Sequence, residues 1–226
     1  MLTKFKGQKL GFIFDFTGTL VEMEWNTKEA FDEIFSGLRT LGIATDTLEN
    51  CRYTVLLDRA KELAVKKDIE EQVIKKLIFS VFEKYDLDAL SRWQLKEGAQ
   101  ELLDWVKKEG HFLAMATNIG AKAITGALAK FGLTGYFEVV INRDSGFPMK
   151  PRPEGLKHIV ELSALPRDNV FLIGDSLDDI KTAREAGLKV MIITGGEDQQ
   201  ETIMQYEPDV MVHNFHELRD ILFEGI

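Results

Sequence analysis

Gly11-Phe12-Ile13-Phe14-Asp15-Phe16-Thr17-Gly18-Thr19-Leu20 is the stretch from which the rest of the chain can be read. Its first four residues, Gly11–Phe14, are apolar without alternation. That pattern marks a strand buried on both faces, and therefore a parallel sheet covered by helices. The strand runs into a carboxylate, Asp15, followed by a Gly-containing turn. In open α/β sheets the ligand lies beyond the carboxyl ends of the strands, so an Asp at this place is positioned to meet one. The competing reading is an Asp that only caps the turn.

Working outward, runs of the same kind recur at Phe112–Ala116, Glu138–Ile141, Val170–Ile173, Val190–Ile193 and Asp209–Val212. Helical patterns separate them: Glu97–Glu109, Ala121–Phe131, Pro153–Leu162 and Asp178–Ala186. Gly110, Gly132 and Gly187 stand where left-handed helix C-caps are expected. Alternation of strand and helix predicts the α/β class, a doubly wound parallel sheet.

Between Val21 and Trp93 the alternation stops. Three amphipathic patterns take its place, roughly Thr27–Leu41, Thr47–Lys66 and Ile69–Tyr85, the first with Ala30, Phe31, Ile34, Phe35 and Leu38 on one face. So many helices on one crossover exceed what one sheet face needs. The expected organisation is a core domain of residues 1–20 and 94–226 with an inserted all-helical cap domain, residues 21–93.

Three further segments carry chemistry. Thr117-Asn118 offers a hydroxyl and an amide, donors of the kind that bind phosphate. Met149-Lys150-Pro151-Arg152-Pro153-Glu154 holds Lys150 in a rigid turn near a helix start, where a fixed ammonium neutralises phosphate and nucleophile charge. Gly174-Asp175-Ser176-Leu177-Asp178-Asp179 clusters carboxylates, which repel one another unless a cation sits between them. Hard oxygen ligands gathered at one point suit Mg²⁺.

In order and spacing, these four segments resemble the four motifs of the haloacid-dehalogenase superfamily. The helical insertion and the runs KPRPEGL and IGDSLDDIKTAREAG look like its phosphoglycolate-phosphatase-like branch. The resemblance implies a Rossmann-like core and a Mg²⁺-dependent phosphatase that acts on small phosphorylated metabolites. It implies that Asp15 attacks phosphorus and forms an aspartyl-phosphate. Mg²⁺ is then expected on the Asp15 carboxylate, the Thr17 carbonyl and Asp175, with Asp179 binding directly or through a water. Thr117 and Asn118 are expected on the phosphoryl oxygens, and Lys150 between the phosphate and Asp15. For Asp179, capping of the following helix is the alternative.

One position departs from the family pattern. Most family phosphatases carry a second Asp two residues after the nucleophile, as general acid and base; here that residue is Thr17. A threonine hydroxyl is far too weak an acid for the task, and positioned acid–base catalysis contributes roughly 10²–10⁴-fold. The chemistry is expected to be slow, confined to good leaving groups, or stalled at the aspartyl-phosphate. The alternatives are a phosphotransferase, a phosphonatase-type enzyme using a cap lysine (Lys28 or Lys61), or a catalytically weak protein that binds phosphometabolites as a regulator. The D-x-T-G-T pattern also occurs in cation pumps of the superfamily, but no run here is long enough to span a bilayer.

Composition bounds the remaining partners. The net charge is −9 and no basic run exceeds a pair, so nucleic acid is not an expected partner. Cys51 is the single cysteine, which excludes an intrachain disulfide and fits a reducing cytoplasm. The polar start, Met1 to Lys9, does not read as a signal peptide, and a membrane is not an expected partner. The state is read as monomer or homodimer. His111 and His158 read as structural, His213 and His216 lack a third metal ligand, and Trp25 reads equally as pocket lining or hinge packing.

Overall fold

The computed structural model describes residues 7–22, 24–49 and 51–225. The chain divides into two compact units, residues 1–23 with 93–226, and residues 24–92.

The larger unit is built on a six-stranded sheet. Its strands are β1 (Gly11–Phe14), β2 (Phe112–Ala116), β3 (Val139–Ile141), β4 (Val170–Gly174), β5 (Lys189–Ile193) and β6 (Val210–Val212). They lie in the order β3-β2-β1-β4-β5-β6, every pair parallel. β1 is central: Ile13 is in register with Ala114 on one side and Leu172 on the other. Phe12, Ile13, Phe14, Phe171 and Leu172 are fully buried, which explains why these strands read as continuous apolar runs. Each such side chain contributes about 1.5–3 kcal/mol through burial.

Strand order reverses at β1, because β2 and β3 build outward on one side and β4 to β6 on the other. A crevice therefore opens beyond the carboxyl ends of β1 and β4.

Two short spans beside the sheet bind the loop after β1. Val21 bridges both Thr17 and Leu95, and Trp93 packs edge-on against Phe16 at 5.1 Å. Those contacts hold Val21 and Trp93 to the larger unit, which extends past the expected core bounds of residues 20 and 94.

The helices of this unit are α4 (Ala99–Lys108), α5 (Ala121–Lys130), α6 (Glu154–Ser163), α7 (Leu177–Ala186), α8 (Gln200–Met204) and α9 (Phe215–Gly225). The first four lie within two residues of their expected bounds. Gly110, Gly132 and Gly187 all have positive φ just past their helices. α7 begins with a capping box, in which Ser176 Oγ accepts from the Asp179 N–H while the Asp179 side chain accepts from the Ser176 N–H.

The smaller unit is all-helical: α1 (Thr27–Thr40), α2 (Tyr53–Val65) and α3 (Glu71–Leu90). α3 packs against both of the others and buries Ile74, Ile78 and Phe82 toward Ile34, Leu38, Leu56 and Ala60 of the same core. Gly37 allows α1 its close approach, since a Cβ there would stand 2.7 Å from Leu77 Cδ1. α2 starts at Tyr53 rather than Thr47. Ahead of it the backbone turns, with Leu48 N–H donating to Thr45 O and Cys51 N–H to Leu48 O. Short polar side chains at Thr45, Asp46 and Thr47 favour such local bonds over a helix. Trp25 belongs to an aromatic cluster, 5.5 Å from Phe82 and 6.2 Å from Tyr53 and Tyr85. Among the described residues no helix is long and apolar enough to cross a membrane.

Candidate active site

Asp15 is the first residue past β1, and its N–H extends the ladder to Ile173 O at 2.9 Å. The chain then turns sharply. Leu20 and Val21 both donate to Phe16 O, and Gly18 N–H donates to Val21 O at 2.8 Å. Gly18 has φ +85, and a Cβ on it would fall 2.2 Å from Asp175 Oδ2. Only glycine meets both demands. Thr17 is half-buried on this loop, its backbone bridged to Val21.

Lys150 and the carboxylates meet at the sheet's switch point. Lys150 Nζ lies 2.6 Å from Asp15 Oδ1 and 2.6 Å from Asp179 Oδ1. The second oxygen of Asp179 accepts from Ser176 N–H, Ser176 Oγ and Asp175 N–H. Asp179 is thus the helix cap and the partner of Lys150 at once. Asp175 accepts from Thr19 Oγ1 at 2.7 Å on one oxygen and from the Glu197 N–H at 2.7 Å on the other. A Cβ on Gly196 would fall 2.0 Å from Asp175 Oδ2, so the loop after β5 closes tightly over this carboxylate.

On the other side of β1, Thr117 is buried at the end of β2, its hydroxyl accepting from the Ile119 N–H at 3.2 Å. The Asn118 side chain is committed to the main chain of Lys150, so it orients the lysine. Arg143, 4% exposed, donates from Nη1 to Asn118 O at 3.2 Å and supports the 118–120 segment.

Asp15, Thr19, Lys150, Asp175 and Asp179 therefore form one buried cluster. Thr17 lies on the loop that follows Asp15, while Thr117 and Asn118 reach the cluster through Lys150 and the neighbouring strand end. Thr19, Arg143, Gly196 and Glu197 are the members that motif reading missed. The signal for Thr19 was present in its spacing, four residues after Asp15.

Electrostatics follow from this crowding. Burial, opposed by Lys150 and reinforced by the Asp179 charge, pushes the Asp15 carboxyl up to about 6. Burial, then the charges of Asp15 and Asp179, hold Asp175 well above the usual carboxylate range, against the Glu197 N–H and Thr19 hydroxyl. Burial works against the Lys150 charge, but the two aspartates more than offset it and its pKa is raised.

One oxygen from each of Asp15, Asp175 and Asp179 lies within 4.8 Å of the others. Three buried carboxylates facing one ammonium leave a negative excess that a hard divalent cation matches. Each of the three carboxylates already accepts hydrogen bonds on both oxygens, so hydrogen bonding alone does not single out one of them as the indirect ligand.

Residues 12–193 match the model of the haloacid dehalogenase-like hydrolase family. The chain belongs to that family. Among haloacid dehalogenase-like relatives, a phosphoglycolate phosphatase of Nitrosococcus oceani is 28% identical over 170 residues, covering 75% of this chain and 76% of its own. A phosphoglycolate phosphatase of Photobacterium profundum is 28% identical over 230 residues, covering 98% of each. Among solved structures, a hydrolase from Pseudomonas syringae superposes with a TM-score of 0.71 at 21% identity, over 96% of this chain and 99% of that one. A Had-superfamily hydrolase from Ehrlichia chaffeensis gives a TM-score of 0.58 at 22% identity, over 97% and 99%. At these identities the structures speak to the fold, which is that of the haloacid dehalogenase-like hydrolases.

Proposed function

We propose that this haloacid dehalogenase-like phosphatase hydrolyses small phosphorylated metabolites through an aspartyl-phosphate on Asp15. The observation that carries the reading is Lys150 bridging Asp15 and Asp179 beside Asp175, in one buried cluster at the switch point of the sheet. Asp15 Oδ attacks phosphorus while Lys150 offsets negative charge on nucleophile and phosphoryl group. Thr117 is assigned to the phosphoryl oxygens, and Asn118, whose side chain holds the main chain of Lys150, to orienting that lysine. Asp15, the Thr17 carbonyl and Asp175, with Asp179 direct or through a water, would hold Mg²⁺, which would supply positive charge between an anionic nucleophile and an anionic phosphate. The helical unit is assigned the role of substrate-selecting cap. Phosphoglycolate, the substrate in the names of the relatives, heads the substrate panel.

Thr17 gives a second reading its footing. Without a carboxylate at that position the leaving oxygen departs unprotonated, and water attacks the aspartyl-phosphate without a base on that residue. Slow hydrolysis, phosphoryl transfer to another acceptor, or tight binding of a phosphometabolite with little turnover all follow from that deficit. The test is hydrolysis of p-nitrophenyl phosphate and of the panel, with Mg²⁺ and with EDTA, for wild type and Asp15→Asn. Mg²⁺-dependent turnover that Asp15→Asn abolishes, in a variant that melts like wild type, is the expected result. Wild-type turnover in Asp15→Asn overturns the covalent mechanism, and full turnover in EDTA overturns the metal's role.

A further inference from the structure

Lys96 stands apart from the carboxylates, yet its ammonium reaches the loop that carries them. Its Nζ donates to the main-chain carbonyl of Gly18 at 2.5 Å. The Lys96 side chain is 12% exposed, and the neighbouring charge, Glu22, lies 3.9 Å away with its own side chain 62% exposed. A lysine is rarely withdrawn from water unless it is paired, and here the near partner is a neutral carbonyl.

That carbonyl belongs to the most constrained residue of the loop. Gly18 has φ +85 and no room for a Cβ against Asp175, and its N–H is committed to Val21 O. Lys96 also holds the loop through its own main chain. Its N–H donates to Leu20 O at 2.9 Å, and Leu95 before it bridges Val21. The loop is therefore gripped at Leu20 by a main-chain hydrogen bond and at Gly18 by an ammonium. On its far face sits Asp175, a carboxylate within repelling distance of Asp15. A loop of this kind needs an external hold if two like charges are to keep one separation.

We infer that Lys96 is a positioning residue. Through the Gly18 carbonyl it keeps the nucleophile loop seated against Asp175, and so sets the spacing of the Asp15 and Asp175 carboxylates. Lys96 touches neither substrate nor reacting atoms in this assignment. The inference rests on the phosphatase reading for its kinetic consequence, but not for its effect on metal binding.

The experiment compares Lys96→Met, which keeps the stem and removes the donor, with Lys96→Arg, which keeps a donor. Two quantities are read: kcat and KM for p-nitrophenyl phosphate, and Mg²⁺ affinity by calorimetric titration of substrate-free protein. Displacement of a catalytic group by a fraction of an ångström to an ångström costs about tenfold to a hundredfold, so Lys96→Met is expected to lose at least about tenfold in kcat. Its KM changes by less than about twofold, its Mg²⁺ affinity falls about tenfold, and Lys96→Arg recovers most of both losses. Values of kcat and Mg²⁺ affinity in Lys96→Met within about twofold of wild type overturn the inference. Equal losses in Lys96→Met and Lys96→Arg also overturn it, since the donor would then be immaterial. Should Lys96→Met not fold, Lys96→Leu, which also lacks a donor, takes its place under the same criteria. A wild-type protein that binds Mg²⁺ but turns over no phosphate sinks the phosphatase reading alone, and the titration still decides the role of Lys96.

Discussion

The side chain of Asn118 and the main chain of Lys150 close a ring of two hydrogen bonds: Nδ2 donates to the Lys150 carbonyl at 3.1 Å, and the Lys150 N–H donates to Oδ1 at 2.8 Å. Both residues are buried, so the ring fixes the point from which the lysine side chain departs toward Asp15. Asn118→Ala leaves a buried N–H and C=O without these partners, at a cost of about 1–3 kcal/mol each. The expected outcome is a lower denaturation midpoint together with a kcat reduced by about tenfold or more. A variant that loses stability but keeps its kcat would confine Asn118 to a structural role.

Metal and proton compete for the same carboxylates. The Asp15 carboxyl moves from an ordinary 3.8 to about 6 in the folded, metal-free chain. A carboxyl raised in this way stabilises the fold below its unfolded pKa, and that contribution is lost as pH rises through the folded one. Asp175 is raised in the same direction. The metal-free protein therefore sheds the Asp15 contribution between about pH 4 and about pH 6, Asp175 adds a loss of the same sign, and Mg²⁺ favours the ionised forms of both. Melting curves in EDTA and in Mg²⁺ are expected to separate more at about pH 7 than at about pH 5. Asp175→Ala should close most of the gap at the higher pH. An equal Mg²⁺ shift at both pH values would show that the ion does not bind at these carboxylates.

Thr17→Asp is expected to raise turnover of a metabolite monoester such as phosphoglycolate by about tenfold or more. The gain should be smaller on p-nitrophenyl phosphate, whose leaving group departs with little help. A general acid stabilises only the transition state in which charge builds on the leaving oxygen. Single-turnover kinetics should also show a shorter-lived phosphoenzyme, since the new carboxylate can activate water. Unchanged or lower monoester turnover in a folded, Mg²⁺-binding Thr17→Asp variant would move phosphoryl transfer or binding ahead of hydrolysis.

In the helical unit, Gly37→Val tests the contact between α1 and α3. Its Cβ would meet Leu77 Cδ1 at 2.7 Å and Cδ2 at 3.0 Å. Overpacking of this kind costs about 1–3 kcal/mol, read as a lower urea midpoint. An unchanged midpoint would mean that the two helices do not rely on this approach.

Much of the sheet was legible because burial on both faces leaves an unbroken apolar run, as at Gly11–Phe14 and Val170–Gly174. The principal charged groups were legible because Asp15 and Asp175 stand directly past strand ends that open on one crevice, and Lys150 stands in a proline-flanked turn just ahead of a helix. Their supports were not. Thr19 meets Asp175 across 156 positions, and the Glu197 N–H acts through the backbone, so neither relation leaves a local pattern. α9 escaped for a different reason: its apolar set, Phe215, Leu218 and Leu222, has helical spacing but follows a weak strand in a short tail. At α2 the periodicity ran past the true start, because turn-forming residues at 45–47 can also be laid on a helical wheel.

The placement of β1 between β2 and β4 also sets an order of events during synthesis. Gly11 finds its partners at Phe112 and Val170, so the strand leading into Asp15 emerges first and is completed late. Residues 24–92, whose helices depend on nearby partners, can organise while β1 still waits. Pulse-labelled hydrogen exchange should accordingly protect amides of α1 and α3 before those of Phe12 and Ile13; protection in the reverse order would refute this sequence. The nascent chain thus carries Asp15 for most of its length before the cluster around it exists, and incomplete products ending ahead of β4 lack both the Ile173 carbonyl that receives the Asp15 N–H and the carboxylate of Asp175.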